Sequence, residues 1–439
     1  MNNEHTELNI AGRTAAYFID SKLTVLLIIF ALLAGLFSFY MTPREENPQI
    51  VVPAANVMVS KPGASPAEIE QLIVKPLEAI LQGMSGVKHT YGMAMDSLGV
   101  VSVQFEVGED KEDALVRLYD RIMSRLDQMP PGTQQPLIKP VDVDDVPILT
   151  ISLSSDQLDD QQLRHIANGA LEHLRQIENV STSFIHGGRV RQINVQLNLE
   201  QMRLYNITLT DISQILEDTN IDTPSGKLVS DNREIAVPAG GMLNTADDVG
   251  MRVVGLHMHR PVYLKDVATI IDGPGEIERL HRIGFGLAFD NKRPRDIEVP
   301  AVSIAMSKIA GSNAVTVSEN VLARLEQLKG SIIPDEVYVN VTRNDGERAR
   351  DAVNVLMEHL AIAVATVILL LIIFLGWRAA GVVTLTIPLI LFIVLAVGYA
   401  SGQSINRITL FALILSLGLL VDDSIVVIEN IFRHYARSG

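Results

Sequence analysis

The chain has 439 residues, no cysteine and a formal net charge of −15, yet 48% of its residues are hydrophobic. The absence of cysteine excludes disulfides and thiolate metal sites, and the acidic balance argues against nucleic-acid binding. The mean hydropathy is positive although 20% of the residues are charged, which is unusual for one soluble domain. We therefore expect apolar membrane spans joined to a polar, acidic globular part.

The first forty residues indicate a membrane anchor. Residues 8–21 form a mildly amphipathic stretch at helical spacing, which either lies along the membrane surface or starts an ordinary cytoplasmic helix. We assign residues 1–22 to a cytoplasmic amphipathic N-terminus. Residues 23–42 are uncharged, of spanning length, and end in aromatic residues before Pro43. This pattern predicts an uncleaved transmembrane helix and not a cleaved signal peptide.

Three further apolar runs lie near the end of the sequence. They predict spans at 346–376, 379–400 and 408–432, separated by short hydrophilic joints. Basic residues mark the cytoplasmic side of a membrane protein. With four crossings, one side holds Arg13, Lys22, Arg378, Arg433 and Arg437, and Arg407 is the exception. Both termini, including residues 433–439, are then cytoplasmic, and a large region after the first span lies outside.

The outside region contains a repeated pattern. Strand, helix, strand, strand and helix recur after about one hundred residues, which indicates two split β-α-β modules of ferredoxin-like type. The first module takes residues 43–146 and 335–345, and the second takes 147–188 and 273–334. Residues 189–272 form an inserted lobe with a hairpin or long loop at 220–242. The predicted fold class is therefore an α+β membrane protein, with four transmembrane helices and a large α/β insert.

Individual elements of the insert follow from local signals. Capping residues, proline and hydrophobic periodicity predict helices at 66–81, 112–129, 160–177, 209–216 and 314–328. Apolar and alternating runs predict strands at 50–60, 87–95, 100–107, 148–153, 193–199, 297–306 and 337–341.

Two adjacent carboxylates, Asp422 and Asp423, lie inside the fourth apolar run. Inserting one ionised Asp near the bilayer centre costs about 3 kcal/mol, so such residues indicate proton handling, counter-ion binding or an ion path. We favour proton handling, in which protonation changes helix packing. The alternative is a structural ion pair within a helix bundle. Adjacent helical residues point about 100° apart, so the two side chains need not face one cavity.

Other polar residues have simpler interpretations. Glu429 is assigned to an interfacial cap in preference to a proton exit route, and Pro388 is expected to kink the third span, as a hinge or as a static bend. His257, Met258 and His259 are assigned to a surface strand end, so no metal site is predicted. No Ser-His-Asp or Cys-His spacing indicates covalent catalysis, and we predict that the chain is not an enzyme.

Three stretches resemble the amino-terminal half of a resistance–nodulation–division (RND) permease of the acriflavine-resistance type. The most specific is GLLVDDSIVVIENIFR at residues 418–433. The others are KPGASPAEIEQLIVKPLEAILQGMSGV at 61–87 and YLKDVATI at 263–270. The order of one span, a large insert and three closely spaced spans also matches. The resemblance therefore covers essentially the whole chain.

The resemblance implies proton-driven efflux of hydrophobic or amphiphilic compounds in the inner membrane of a Gram-negative bacterium. Such secondary active transport needs the proton motive force and no cofactor, and Asp422 and Asp423 would carry the proton. The two modules would be porter subdomains, and the inserted lobe half of a docking domain in the periplasm. The implied partners are the lipid membrane, a small-molecule substrate, two further copies in a homotrimer, a periplasmic adaptor (membrane fusion) protein and an outer-membrane channel. Nucleic acid is not among them.

The chain departs from the family pattern in two ways. Family members are about twice as long and carry a basic residue on a later span that pairs with the two Asp, so we expect a fragment or a chain that needs a partner half. Multidrug members hold drugs with phenylalanines near the positions of Ile148 and His186, where only Phe184 is aromatic here. The substrate-binding residues therefore stay unknown. A non-transporting membrane scaffold or sensor, or a heavy-metal RND exporter, is the alternative, and the Asp pair disfavours both.

Overall fold

Apolar helices, two sheet-and-helix modules and a smaller lobe make up the fold. The computed structural model describes residues 16–19, 21–46, 48, 52–141, 145–230, 233–286 and 297–438. Within these ranges only the backbone is described for residues 222–225, 228–230, 235–240, 375, 379, 417, 420–424, 432 and 435–438. Most of the amphipathic stretch predicted at 8–21 lies outside the description, apart from helical residues 16–19.

The order of helices and strands agrees in most places with the order predicted from the sequence. The helices are α1 Lys22–Met41, α2 Pro66–Ile69, α3 Lys75–Gln82, α4 Lys111–Met123, α5 Asp160–Leu174, α6 Leu199–Tyr205, α7 Leu209–Thr219, α8 Ala246–Gly250, α9 Leu264–Val267, α10 Ala314–Leu328, α11 Asp345–Leu375, α12 Trp377–Ala400 and α13 Arg407–Ser438. The strands are β1 Ala54–Ser60, β2 Val87–Met95, β3 Leu98–Phe105, β4 Leu137–Val141, β5 Leu149–Ser154, β6 Val180–His186, β7 Arg191–Leu197, β8 Asp222–Ser230, β9 Arg233–Gly240, β10 Val253–His257, β11 Arg260–Tyr263, β12 Ala268–Pro274, β13 Arg282–Gly284, β14 Glu298–Lys308 and β15 Tyr338–Asn344.

Among the described residues, three helices are long and apolar enough to cross a membrane. Their candidate spans are Lys22–Met41, Asp345–Phe374 and Ala380–Ala400, which lie in α1, α11 and α12. Each has at least the 20 or so residues that the hydrocarbon core requires. The predicted fourth span falls in α13, whose apolar part within the described side chains is the shorter Arg407–Ser416. That fourth crossing stays a prediction.

The apolar helices pack against each other with buried aliphatic residues between them. Helix α1 meets α12 at Gly35, where a Cβ atom would stand only 2.1 Å from the Cβ of Phe392. A small residue therefore lets the two backbones approach, as is usual where helices meet in membranes. A shared core joins α11, α12 and α13 through Val353, Leu356, Leu360, Leu371, Ala380, Val383, Ile387, Leu391, Leu410, Leu413 and Ile428.

The first module is an antiparallel sheet with helices packed on one face. Its strand order is β2-β3-β1-β4. Alternate residues of β1 and β3 are buried, as one covered face of a sheet requires. The helix predicted at 66–81 begins as expected, with Ser65 and Glu68 forming a capping box. It contains a π-helical turn, Glu70–Val74, which lies over Gly92. A Cβ at Gly92 would stand 2.3 Å from Val74, so this contact depends on glycine.

The second module is a five-stranded sheet covered by α5 and α10. Its order is β13-β14-β5-β15, and β6 also pairs with β14. The grouping of residues 335–345 with the first module was wrong, because β15 pairs with β5 from Tyr338 opposite Ser154 to Asn344 opposite Leu149. The physical reason is the apolar side of this strand: Val337 and Val339 pack into the core of the second module. The second module therefore leads directly into α11, since Asn344 caps that helix.

The inserted lobe has its own small core. It contains the antiparallel pairs β7–β12, β10–β11 and β8–β9, with α6, α7, α8 and α9. The backbone of β8 and β9 forms a hairpin within the predicted region 220–242. The strand predicted at 193–199 ends at Leu197, because the Asn198 side chain accepts hydrogen bonds from the amides of Glu200 and Gln201 and starts α6.

Two other helices are shorter than predicted. The helix predicted at 112–129 ends at Met123 and is followed by a 3₁₀ turn at Leu126–Gln128. The helix predicted at 160–177 ends at Leu174. Both differences lie at C-terminal ends, where no glycine marks the last helical turn and periodicity alone gives weak boundaries. The helix predicted at 314–328 is confirmed in full as α10.

Candidate functional site

The candidate site begins with α13, the helix that contains positions 422 and 423. Asn406 is buried, and its side-chain oxygen accepts hydrogen bonds from the amides of Ile408 and Thr409, 3.0 Å each. This cap fixes the outer end of the helix. The backbone at Asp422 and Asp423 is helical, whereas their side chains lie outside the described part of the structure.

Helix α13 has one covered face and one exposed apolar face. Leu410, Leu413 and Ile428 are buried against α11 and α12. Leu415 and Leu419 are 77% and 70% exposed and lie four residues apart, so they form an exposed stripe on this helix. Among the described residues, no other helix of this chain covers that stripe.

The outer end of α13 is joined to the segment that follows α1. The amide of Ile405 donates to the carbonyl of Pro43, 2.9 Å, and the amide of Glu45 donates to the carbonyl of Ile405, 3.1 Å. The guanidinium of Arg407 also lies 3.2 Å from the Glu46 carboxylate. Residues 43–46 and 405–407, which we call the outer junction, are therefore held together by backbone and side-chain contacts.

A buried ion pair connects the outer junction to the second module. Nζ of Lys308, the last residue of β14, lies 2.7 Å from Oε1 of Glu45, and each side chain is only 6% exposed. The contact is an ion pair by distance, and neither atom has a hydrogen-bond partner among the described residues. Separating such charges without water is expensive, so the pair holds β14 against the outer junction.

A polar pocket of about 520 Å³ opens on the second module. Its floor is a hydrogen-bonded chain in which the hydroxyls of Ser152 and Ser303 are 2.7 Å apart and His281 Nε2 is 2.9 Å from Ser303 Oγ. The lining side chains that carry or can carry positive charge are Arg279, Arg282, His186 and His281. The pocket is suited to a ligand with a polar or anionic group.

Burial, and to a smaller extent the nearby His186, lower the pKa of His281 below its usual value. The folded protein therefore binds this proton less readily than the unfolded chain does. Neutral His281 therefore contributes to folding stability at a pH above the ordinary histidine pKa. This contribution is lost as the pH falls from that pKa towards the lower pKa of His281 in the folded protein.

We therefore expect wild-type protein to lose thermal stability on acidification from pH 7.5 to 5.5. The loss should be smaller in His281→Gln, which cannot titrate there. Thermal unfolding of both proteins at the two pH values measures the difference. Equal losses would show that His281 does not contribute.

A second cavity, of about 470 Å³, lies among the apolar helices. It is almost entirely apolar and is bordered by α1, α11, α12 and the start of α13, with Phe39, Met357, Pro388 and Phe392 among its lining residues. Pro388 stands inside α12, which continues as a helix through it. A cavity of this character can accept a hydrophobic group.

The other residues that the sequence singled out lie outside these two cavities. Met258 and His259 have positive φ angles and form the turn between β10 and β11, so His257 and His259 do not share a strand face. Phe184 stacks edge-on against His186 in β6. Glu429 lies 3.6 Å from Arg433 on the exposed surface of α13. In the described part of the chain, no group of three or more His, Asp or Glu side chains is placed to hold a metal ion.

Sequence patterns did not reveal the polar residues that join the modules. Lys308 ends a long buried run, AVSIAMSK, and a lysine there is a weak sign of a buried partner. Glu45 and Glu46 follow the first span directly and read as ordinary interfacial charges. Ser303 and His281 carry no local signal, because their contact depends on the pairing of β13 with β14.

Comparison with known proteins extends over nearly the whole chain. The AcrB/AcrD/AcrF family matches residues 14–439. Multidrug resistance protein MdtC of Pectobacterium carotovorum subsp. carotovorum (strain PC1) is 28% identical over 424 residues, which is 95% of this chain and 40% of the relative. MdtC of Yersinia enterocolitica serotype O:8 / biotype 1B (strain NCTC 13174 / 8081) is 28% identical over 423 residues, with the same coverage. The chain thus spans about 40% of the length of these curated relatives. It therefore belongs to the AcrB/AcrD/AcrF family of RND efflux permeases.

Proposed function

We propose that the chain is the N-terminal half of a proton-driven RND transporter that exports hydrophobic or amphiphilic compounds from the periplasm or the inner-membrane leaflet. The observation that carries the proposal is the pair Asp422 and Asp423 in an apolar stretch of a chain that belongs to a family of efflux permeases. A scaffold gains nothing from burying two carboxylates, whereas a proton-coupled transporter requires groups of this kind.

The proposed architecture has four spans and a periplasmic insert. The spans are 23–42, 346–376, 379–400 and 408–432, with both termini in the cytoplasm of a bacterial cell. The first ferredoxin-like porter module takes residues 43–146. The second takes 147–188 and 273–334 and, by the pairing of β15 with β5, also residues 335–345. Residues 189–272 form the docking lobe.

The exposed stripe of α13, at Leu415 and Leu419, supports contact between this helix and a span outside the chain. Lipid contact at positions 422 and 423 would leave both charges unpaired in hydrocarbon. We propose that a later span of the complete transporter covers the stripe and pairs a basic residue with Asp422 and Asp423. Protonation of the pair then weakens that contact and lets α13 shift relative to its partner.

Helix α11 gives a direct route from the membrane to the second module. It has 31 residues, about 46 Å, and so extends beyond a hydrocarbon core of about 30 Å. Its first turn packs against α10 at Gly346, where a Cβ would stand 2.6 Å from the carbonyl oxygen of Ala314. Since β15 runs straight into this helix, a displacement of α11 moves the second sheet.

The two cavities support an amphiphilic substrate. The apolar cavity among the helices can accept a hydrophobic group, and the polar pocket of the second module can bind a polar or anionic group. Phenylalanine is not among the residues that line the polar pocket in the described part of the chain. We therefore propose selectivity for substrates with a polar head over purely aromatic drugs.

We propose that the complete transporter acts as a homotrimer with a periplasmic adaptor protein and an outer-membrane channel. The test is efflux of a fluorescent amphiphile from cells with and without a protonophore. Efflux that stops when the proton gradient collapses is the expected result. Binding of partners without any gradient-dependent efflux would instead indicate a scaffold, and protection against metal ions alone would indicate a heavy-metal exporter.

A further inference from the structure

The outer junction contacts two parts of the molecule that the proposed mechanism must connect, namely α13 and β14. Position 422 lies 15 residues along α13 from Arg407, a distance of about 22 Å on one continuous helix. A helix of that length moves largely as a rod. Its outer end therefore shifts whenever its middle is displaced.

Four contacts bind that outer end to residues 43–46. The Ile405 amide donates to the Pro43 carbonyl, the Glu45 amide donates to the Ile405 carbonyl, and the Arg407 amide donates to the Glu46 carbonyl at 3.3 Å. The fourth contact is the ion pair of Arg407 with Glu46. Ile405 is buried, as are Glu45 and the neighbouring residues Thr42 and Asn406. Residues 43–46 must therefore follow the end of α13.

Glu45 passes the movement on to β14 through Lys308. Both side chains are buried, and each charged atom has the other as its partner at 2.7 Å. If the two elements moved apart, both charges would remain in a dry environment without a partner, which is strongly unfavourable. The pair therefore resists separation more than an exposed ion pair would.

Strand β14 borders the polar pocket at Ser303, near the middle of the strand. Ser303 lies five residues before Lys308, about 17 Å along the strand, and is paired with His186 of β6. Ser303 and His186 both line the pocket, and Ser303 contacts His281. A displacement of β14 along its axis thus changes the spacing of pocket residues.

We propose that Glu45 and Lys308 are positioning residues that couple the Asp422/Asp423 helix to the polar pocket through β14. This inference rests on the proposed proton-driven transport. It adds a second connection, independent of α11, between the membrane and the second module. Through this link, protonation in the membrane changes the affinity of the pocket for its ligand.

The test uses Glu45→Gln/Lys308→Met in the complete transporter. Removing both charges together leaves no unpaired buried charge, so the protein should fold at close to wild-type abundance. We expect the maximum efflux rate to fall on the order of tenfold, with little change in the half-saturating substrate concentration. The matched control is Glu326→Gln/Lys329→Met, which removes an exposed pair on and next to α10 and should leave efflux unchanged.

A fluorescence measurement separates this inference from the proposed function. Leu280 lines the pocket and is exposed, and this chain has no cysteine, so Leu280→Cys can be labelled once any cysteines in the rest of the transporter are replaced. The response to an imposed proton gradient is compared with that of Asp422→Asn/Asp423→Asn, whose remaining signal reports direct titration near the probe and is subtracted. A full response in the Asp variant would overturn the proposed function. A response that needs the Asp pair but is unaffected by Glu45→Gln/Lys308→Met would overturn the link alone.

Discussion

Asp422→Asn and Asp423→Asn are each expected to reduce proton-driven efflux to the level of cells without the transporter. Asparagine has nearly the shape of aspartate, so helix packing is preserved, but it cannot take up or release a proton near neutral pH. Without a change of charge, the contact between α13 and the span that covers its exposed stripe is the same throughout the cycle. Efflux of a fluorescent amphiphile at matched protein abundance measures the effect.

Glu429→Gln is the matched control on the same helix. Glu429 lies about two turns beyond Asp422, with its side chain 67% exposed and next to Arg433. An exposed i,i+4 pair contributes little, about 0.3–0.5 kcal/mol. We therefore expect nearly normal efflux from this variant. Loss of efflux in Glu429→Gln as severe as in the Asp variants would show that any carboxylate change on α13 disables the protein.

Lys308→Met is expected to destabilise the protein by about 3–5 kcal/mol, the usual effect of leaving one member of a buried ion pair without its partner. The methionine fills most of the lysine volume, so the cost comes chiefly from the uncompensated charge of Glu45. Adding Glu45→Gln to this variant should recover most of the loss. Thermal unfolding of the wild type, the two single variants and the double variant gives the coupling energy between the two residues.

Lys329→Met provides the comparison for the stability measurement. Lys329 follows α10 in the same module, and its ion pair with Glu326 is exposed. Its replacement should change the free energy of unfolding by less than about 0.5 kcal/mol. If Lys308→Met were no more destabilising than Lys329→Met, the Glu45–Lys308 pair would not resist separation, and the coupling argument would lose its physical basis.

Local sequence signals predicted much of the fold because they act over short distances. Helix α10 and the apolar helices α1, α11 and α12 follow from periodicity, capping and length. The same signals do not specify which strands pair across the sheet. The placement of β15 beside β5 depends on contacts between distant segments, so residues 335–345 were assigned to the wrong module.

The candidate site likewise contains residues that stand out locally in the sequence and residues whose contacts form only in the fold. Asp422 and Asp423 stand out in the sequence itself, since carboxylates within an apolar run are costly to bury, and their role stays a prediction. The Glu45–Lys308 pair could not, because each residue has an ordinary local context and the pairing exists only in the folded molecule. The serine and histidine contacts of the polar pocket depend likewise on β14 lying between β13, β5 and β6.

Proton flux through the reconstituted complete transporter tests the central claim most directly. A pH-sensitive dye inside proteoliposomes reports proton movement when an amphiphilic substrate is added. We expect substrate to trigger proton flux in the wild type and none in Asp422→Asn/Asp423→Asn, with Glu429→Gln behaving as the wild type. Undiminished substrate-triggered proton flux in the Asp variant would contradict a role for these two residues in moving protons.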